Sequence, residues 1–282
     1  MMELPIVGAG GGATLYAHWG ALQCLMDHDI YPSSLIGASA GAVAFAPIAN
    51  GMKPHDCLGI ALELLPKKVM SFNWRFWQRG HWGFYTLKGL EKALSKYAPK
   101  KFCQCLIPLY VATTDLTTMR SRIFNPDTTP TMKVAKAVRI SASVPFLFDF
   151  VPFDNTIFSD GGIVDNYPID LVVPGSIDLT KEPAIGFRLL SSGESTTNKT
   201  PDTFLEAAIN VLGAMRAEAE RKHIENANIW SRTINIHVPW NSMDFLNITQ
   251  EKIEEIYQVG YDAVQKKLDS GWNPMEVPDV LS

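Results

Sequence analysis

Short apolar runs alternate with longer stretches of helical periodicity along most of the chain. An unbroken apolar run bounded by turn residues fits a buried strand, whereas apolar residues recurring every three or four positions fit a helix with one buried face. On this basis Leu4–Gly8 reads as a strand and Leu15–Asp27 as a helix, with Leu15, Trp19, Leu22 and Met26 near helical spacing. Leu35–Gly37 ends a short buried strand, and a helix begins after Ser39. Leu87–Lys96 reads as a helix and Cys105–Thr113 as a buried strand, with Ile123–Phe124 in a hairpin partner. Lys133–Ser141 reads as helical, Ile157–Ser159 and Ala184–Leu190 as strands. Phe204–Glu225 is the longest helix expected, followed by a strand at Thr233–Val238 and a final helix at Thr249–Lys267 that Thr249 can cap. The polar stretch Ser191–Thr203 reads as a loop. Strand and helix alternating in this order predict an α/β fold.

Two glycine-rich turns interrupt the first βα units. Ile36-Gly37-Ala38-Ser39-Ala40-Gly41-Ala42 is a G-x-S-x-G sequence between an apolar run and small residues able to start a helix. A serine on such a turn projects its hydroxyl clear of the backbone, while Gly37 and Gly41 allow the chain to pass closely. The free N–H groups and positive end of the following helix favour an anion beside it. The earlier turn, Val7-Gly8-Ala9-Gly10-Gly11-Gly12-Ala13, carries four glycines in seven residues after the run Leu4-Pro5-Ile6-Val7. Backbone N–H groups exposed by Gly10, Gly11 and Gly12 can form an anion-binding concavity. Beside Ser39 they would serve as an oxyanion hole. Consecutive βα units of a parallel sheet place both turns at the same edge, where ligands bind in open α/β folds.

A serine hydroxyl needs a base. None of the six histidines sits in a glycine-flanked turn, and His18 falls within the first helical pattern as an ordinary helix-face residue. The stronger candidate is Asp160, at a strand end in Ile157-Phe158-Ser159-Asp160-Gly161-Gly162-Ile163, although Asp-Gly also suits a plain turn. Two other classes compete with an acyl hydrolase. The sequence Gly8–Ala13 also satisfies the dinucleotide pattern G-x-G-x-x-G/A after a strand. That reading calls for an acidic residue closing the second strand, but Asp27 and Asp29 precede that strand and Ser39 follows it. A non-catalytic lipid-binding protein is the other alternative, and retention of Ser39, Asp160 and the three glycines opposes it.

These motifs resemble those of the patatin-like phospholipases. Gly10-Gly11-Gly12 resembles that family's oxyanion loop, Gly37–Gly41 its G-x-S-x-G, and Asp160-Gly161-Gly162 its Asp-Gly-Gly. Ile140-Ser141-Ala142-Ser143-Val144-Pro145-Phe146 is similar to its small-residue, proline-ended segment, and Asp165-Asn166-Tyr167-Pro168 to its downstream continuation. The resemblance implies a three-layer fold with a mainly parallel central sheet flanked by helices, forming one domain over residues 1–282. It further implies a lipid acyl hydrolase with a Ser39–Asp160 dyad, an acyl-enzyme, a lipid ester substrate and no cofactor or metal. One departure is visible. Where family members commonly carry Arg or Lys two positions after the glycine triplet, this chain has Thr14 and then Leu15. Loss of that cation implies weaker preference for a phosphate head group or a less firmly held oxyanion loop.

With 282 residues, 46% of them hydrophobic, the chain can bury a large core. A net charge of −4 gives no electrostatic case for nucleic-acid binding. Four cysteines, with Cys103 and Cys105 lacking a second pair at zinc spacing, indicate neither a disulfide scaffold nor a metal site. The N-terminus has no basic region before an apolar stretch, and Leu35–Ile48 is too short for a span, so cytoplasmic residence is expected. The oligomeric state is left open. One concentration falls outside these motifs: Phe72–Tyr85 holds seven aromatics, three of them tryptophan, with Arg75 and Arg79. Its composition favours an aromatic mini-core or oligomer contact. The alternative is an interfacial loop or lid in peripheral contact with a membrane.

Overall fold

A computed structural model describes residues 1–78, 82–191, 202–244 and 247–275. Eight strands form the main sheet: β1 (Met2–Gly8), β2 (Ile30–Ala38), β3 (Leu109–Asp115), β4 (Arg120–Phe124), β5 (Val151–Phe153), β6 (Thr156–Asp160), β7 (Ile185–Ser191) and β8 (Thr233–Val238). Their order is β8-β7-β1-β2-β3-β6-β5, with β4 also paired to β3. The five strands from β8 to β3 are mutually parallel. β4 and β6 run antiparallel to β3, and β5 antiparallel to β6.

Among the described residues six longer helices accompany the sheet: α1 (Tyr16–Asp27), α2 (Ala40–Ile48), α3 (Lys88–Leu94), α4 (Val134–Ser141), α5 (Phe204–Ile224) and α6 (Gln250–Asp269). Successive strand residues face opposite sides of the sheet and so divide the core. Leu4, Ile6, Leu35 and Leu109 join a large cluster with α1, α2 and α6, while Val7, Ile36 and Tyr110 join a smaller one around Tyr167, Ile169, Leu179 and Ile229. Covered on both faces, the central strands read in sequence as continuous apolar runs rather than alternating ones.

α1 and α6 pack backbone to backbone. A Cβ on Gly20 would collide with the Tyr257 carbonyl, and one on Gly260 with the Ala17 carbonyl. Thr249 caps α6 by accepting the Lys252 N–H at 3.3 Å, as its sequence position suggests.

Most expected elements are present with shifted ends, and two differences have a physical cause. β2 begins at Ile30, well before Leu35, because Met2–Leu4 pair with Ile30–Pro32 ahead of a bulge. Pairing with β3 starts only at Leu35, so the earlier residues leave one edge free and can include Pro32 and two serines. β5 has only three residues, too few for periodicity to reveal it. The expected loop Ser191–Thr203 lies largely outside the described residues.

The helix contact yields a direct test. Gly260→Val and Gly20→Val should each lower stability by about 1–3 kcal/mol or more, because backbone cannot yield as a side chain does. Thermal unfolding would show this, and an unchanged midpoint in both variants would contradict the close crossing.

Candidate functional site

The pairing of β3 brings two distant segments together. Positions 109–112 pair with β2, ending at Ala38 opposite Ala112. Positions 113–115 pair with β6, with Asp160 opposite Thr113. β4 occupies the other edge across 111–115, so β2 and β6 share one edge of β3 and arrive end to end. Ser39 follows the last paired residue of β2, and Asp160 is the last residue of β6.

Ser39 adopts φ 47° and ψ −111°, a conformation that costs a non-glycine residue free energy and recurs at functional turns. Tight packing holds it there. A Cβ on Gly41 would strike the Gly8 carbonyl, and one on Gly37 the Ala42 nitrogen at 2.5 Å, so neither position admits a side chain. The Ser39 N–H donates to Ser141 Oγ at 2.8 Å, and Ser141 Oγ–H donates to the Ala112 carbonyl at 2.6 Å. Ser143 supports the other partner: its carbonyl accepts the Asp160 N–H at 3.0 Å and the Ser159 hydroxyl at 2.8 Å. The small-residue segment therefore ties both candidate residues to α4. Periodicity did not distinguish Ser141 or Ser143 as positioning residues.

Asp160 is buried, and burial pushes its carboxyl up to about 6. The Ser39 hydroxyl, the Gly162 N–H and the Arg216 charge act in the opposite direction. Oδ1 accepts the Gly162 N–H at 2.7 Å, while Oδ2 is buried with no formed hydrogen bond among the described residues. One carboxylate oxygen is thus fixed and the other is available to a neighbouring hydroxyl. Catalytic hydrogen bonds are commonly longer in the unliganded state and tighten with substrate.

The glycine loop is divided in its roles. The Gly10 N–H donates to the Asn166 carbonyl at 3.0 Å and is therefore engaged. No bond to the N–H of Gly11 or Gly12 is formed among the described residues, which leaves these two as the available donors. His18 lies on α1, where it is fully buried, and its Nε2–H donates to the Ala9 carbonyl at 2.8 Å. Burial holds its pKa down to about 4, so it is neutral near pH 7 and anchors the loop. Thr14 is also fully buried, with its hydroxyl donating to the Gly11 carbonyl at 2.9 Å. The side chain at position 14 is consequently a brace inside the loop and does not face a head group.

An apolar groove leads away from Ser39. Ala40 and Val43 of α2 line it with Val69, Leu87, Leu90, Val144 and Phe148, and Gly12 and Ala13 lie at the same cavity. The aromatic segment borders this groove: the Phe84 N–H donates to the Phe146 carbonyl at 3.1 Å and the Tyr85 N–H to the Leu147 carbonyl at 2.9 Å. Its rings touch edge-on, as in Phe72–Trp74 and Phe76–Trp77, both with centroids 4.9 Å apart. They do not form a buried mini-core, since Trp74, Trp77 and Trp82 are 74%, 65% and 56% exposed. Arg75 bonds Gln78 at 2.9 Å on the same excursion, and Arg79 lies outside the described residues. Among the described residues, no group of three His, Cys, Asp or Glu side chains is arranged to hold a metal ion.

The chain is 28% identical over 278 residues to an uncharacterised protein of Acanthamoeba polyphaga mimivirus, covering 92% of each. It is 32% identical over 184 residues to a probable lipid hydrolase of Invertebrate iridescent virus 6, covering 60% of this chain and 62% of that protein. Among solved structures, VipD from Legionella pneumophila shares the fold with a TM-score of 0.61 at 17% identity, over 95% of this chain and 67% of that one. The patatin-like phospholipase family matches residues 6–173, the stretch that contains the glycine loop, the serine turn and the Asp-Gly-Gly turn. The chain belongs to the patatin-like phospholipase family.

Proposed function

We propose that the protein is a serine lipid acyl hydrolase that cleaves ester bonds of glycerolipids or phospholipids. The observation that carries this reading is the end-to-end meeting of β2 and β6, which sets a strained serine beside a buried, partly unpartnered carboxylate. In this mechanism Ser39 Oγ attacks the ester carbonyl carbon while Asp160 Oδ2 takes the hydroxyl proton. The N–H groups of Gly11 and Gly12 receive the developing oxyanion. Collapse of the tetrahedral intermediate breaks the C–O bond, and Asp160 returns its proton to the departing alcohol. A water molecule then attacks the acyl-enzyme with Asp160 again as base, releasing the fatty acid and restoring Ser39. The apolar groove receives the acyl chain. A carboxylate with a raised pKa is a stronger base, which suits it to this role without a histidine.

The exposed tryptophans beside the groove fit contact with a lipid surface. Indole rings favour the boundary between hydrocarbon and water, and an exposed aromatic cluster is a costly feature on a freely solvated surface. Peripheral insertion at Phe72–Tyr85 would bring the groove to its substrate. No described helix is long and apolar enough to cross a membrane.

A fluorophosphonate probe should label Ser39, as mapped by mass spectrometry, and Ser39→Ala should abolish most ester hydrolysis while leaving the thermal midpoint near that of the wild type. Labelling confined to another serine would refute the assignment.

The activity should fall as pH drops through about 6, since Asp160 must be ionised to accept a proton. Asp160→Asn should be inactive yet more stable than the wild type at pH 8. The sign follows from linkage: a carboxyl raised to about 6 on folding costs stability once the unfolded chain ionises near pH 4, and the full cost is present above pH 6. The advantage of Asn should therefore vanish below about pH 4. Equal stability at pH 8 would contradict a buried, desolvated carboxylate.

Replacing Trp74 and Trp77 with Ala should weaken binding to phospholipid vesicles and slow vesicle hydrolysis, with turnover of a short soluble ester retained. Parallel loss of both activities together with a lowered midpoint would instead assign those rings to the fold.

A further inference from the structure

Glu220 on α5 is a buried carboxylate with no part in the chemistry above. Its side chain is only 7% exposed. Oε1 accepts from Asn166 Nδ2, Oε2 accepts from Arg188 Nε at 2.7 Å, and Arg216 Nε lies 3.7 Å from Oε1. Removing a carboxylate from water is expensive and is tolerated where cations and donors surround it. Here one carboxylate gathers two guanidinium groups and an amide from three separate parts of the chain.

Each partner leads back to the site. The Asn166 carbonyl holds the Gly10 N–H at 3.0 Å, and Asn166 Oδ1 occupies the space where a Cβ on Gly10 or Gly162 would stand. Arg188 lies between Phe187, whose carbonyl accepts the Ala9 N–H at 3.0 Å, and Leu189, whose side chain covers Gly11. Arg216 is close enough for its charge to favour ionised Asp160. We propose that Glu220 is a positioning residue for the acyl-transfer site, holding Asn166 against the glycine loop and Arg216 within reach of Asp160. This rests on the serine hydrolase reading and deepens it. The loop donors must stand where the oxyanion forms, and displacement of such a donor is costly to the transition state more than to substrate binding.

The charged surroundings of the network are defined. Asp165, Asp170, Lys222 and His223 lie around the same end of α5 and the loop after Asp160, with His223 4.0 Å from Asp165 and 3.9 Å from Asp170. They are common to every variant compared below, so differences between variants report on Glu220 and Arg216.

The test uses the full chain and a short soluble ester, with kcat and kcat/KM measured against pH for Glu220→Gln, Arg216→Gln and Glu220→Ala. Arg216→Gln removes a cation that favours the Asp160 anion, so its acid limb should move to higher pH. Glu220→Gln releases Arg216 from its place near Asp160, so its limb should move in the same direction, each by about half a unit. Glu220→Ala frees Asn166 and the loop and should lower kcat by about tenfold or more with KM within about threefold. Should Glu220→Ala fail to fold, the two glutamine variants still decide the matter. Unmoved acid limbs in both glutamine variants, with or without a lowered melting midpoint, would overturn the positioning role. Fluorophosphonate labelling of Ser39 separates the two failures: labelled enzyme with unmoved limbs rejects Glu220 alone, whereas absence of labelling in the wild type rejects the hydrolase reading beneath it.

Discussion

The shared edge of β3 is the constraint on which the site depends. A strand edge offers one row of backbone donors and acceptors, and two other strands divide that row between Ala112 and Thr113. β2 arrives from one direction and β6 from the other, so their ends meet. Residues 39 and 160, 121 positions apart in the chain, are thereby placed by backbone hydrogen bonds rather than by flexible side-chain contacts. Backbone pairing of this kind is rigid, and the proton transfer proposed between Ser39 and Asp160 requires such rigidity.

Rigidity at this junction sustains two unfavourable features. Ser39 occupies a backbone conformation that an isolated chain would leave, and Asp160 places a carboxyl where ionisation is penalised. Both persist because neighbours over-determine them. Gly8, Gly41 and Ser141 leave the serine turn no room to relax, and Ser143 and Gly162 hold the aspartate by its backbone and by one oxygen. The same burial that destabilises the charge makes Asp160 a better proton acceptor.

The glycine loop shows how polar groups are allotted by neighbours. Of its three triplet glycines, Gly10 is engaged by Asn166, while among the described residues no bond is formed by the N–H of Gly11 or Gly12. His18 and Thr14 brace the loop from within, His18 through the Ala9 carbonyl and Thr14 through its hydroxyl and its N–H on the Gly11 carbonyl. The buried Thr14 thus supports the loop mechanically in a chain without the expected basic side chain there, and cationic influence on Asp160 comes instead from Arg216 on α5.

The α/β alternation and the order of the glycine, serine and Asp-Gly-Gly motifs are legible along the chain, which also singles out Ser39 and Asp160 as candidates. These are local properties: periodicity, turn chemistry and small residues at close approaches leave their mark on adjacent positions. Even there, β2 was cut short because an unpaired edge tolerates Pro32 and two serines that look like a loop. Packing in three dimensions makes Gly10 an engaged donor and His18 an anchor, and leaves the tryptophans of Phe72–Tyr85 exposed. The same packing gives Ser141 and Asn166, seen in the sequence only as members of motif segments, their bonds at the site, and brings Glu220 and Arg216 beside them. Hydrogen bonds and burial between residues far apart in sequence depend on how strands and helices cross in space, and no local pattern of side chains records that crossing.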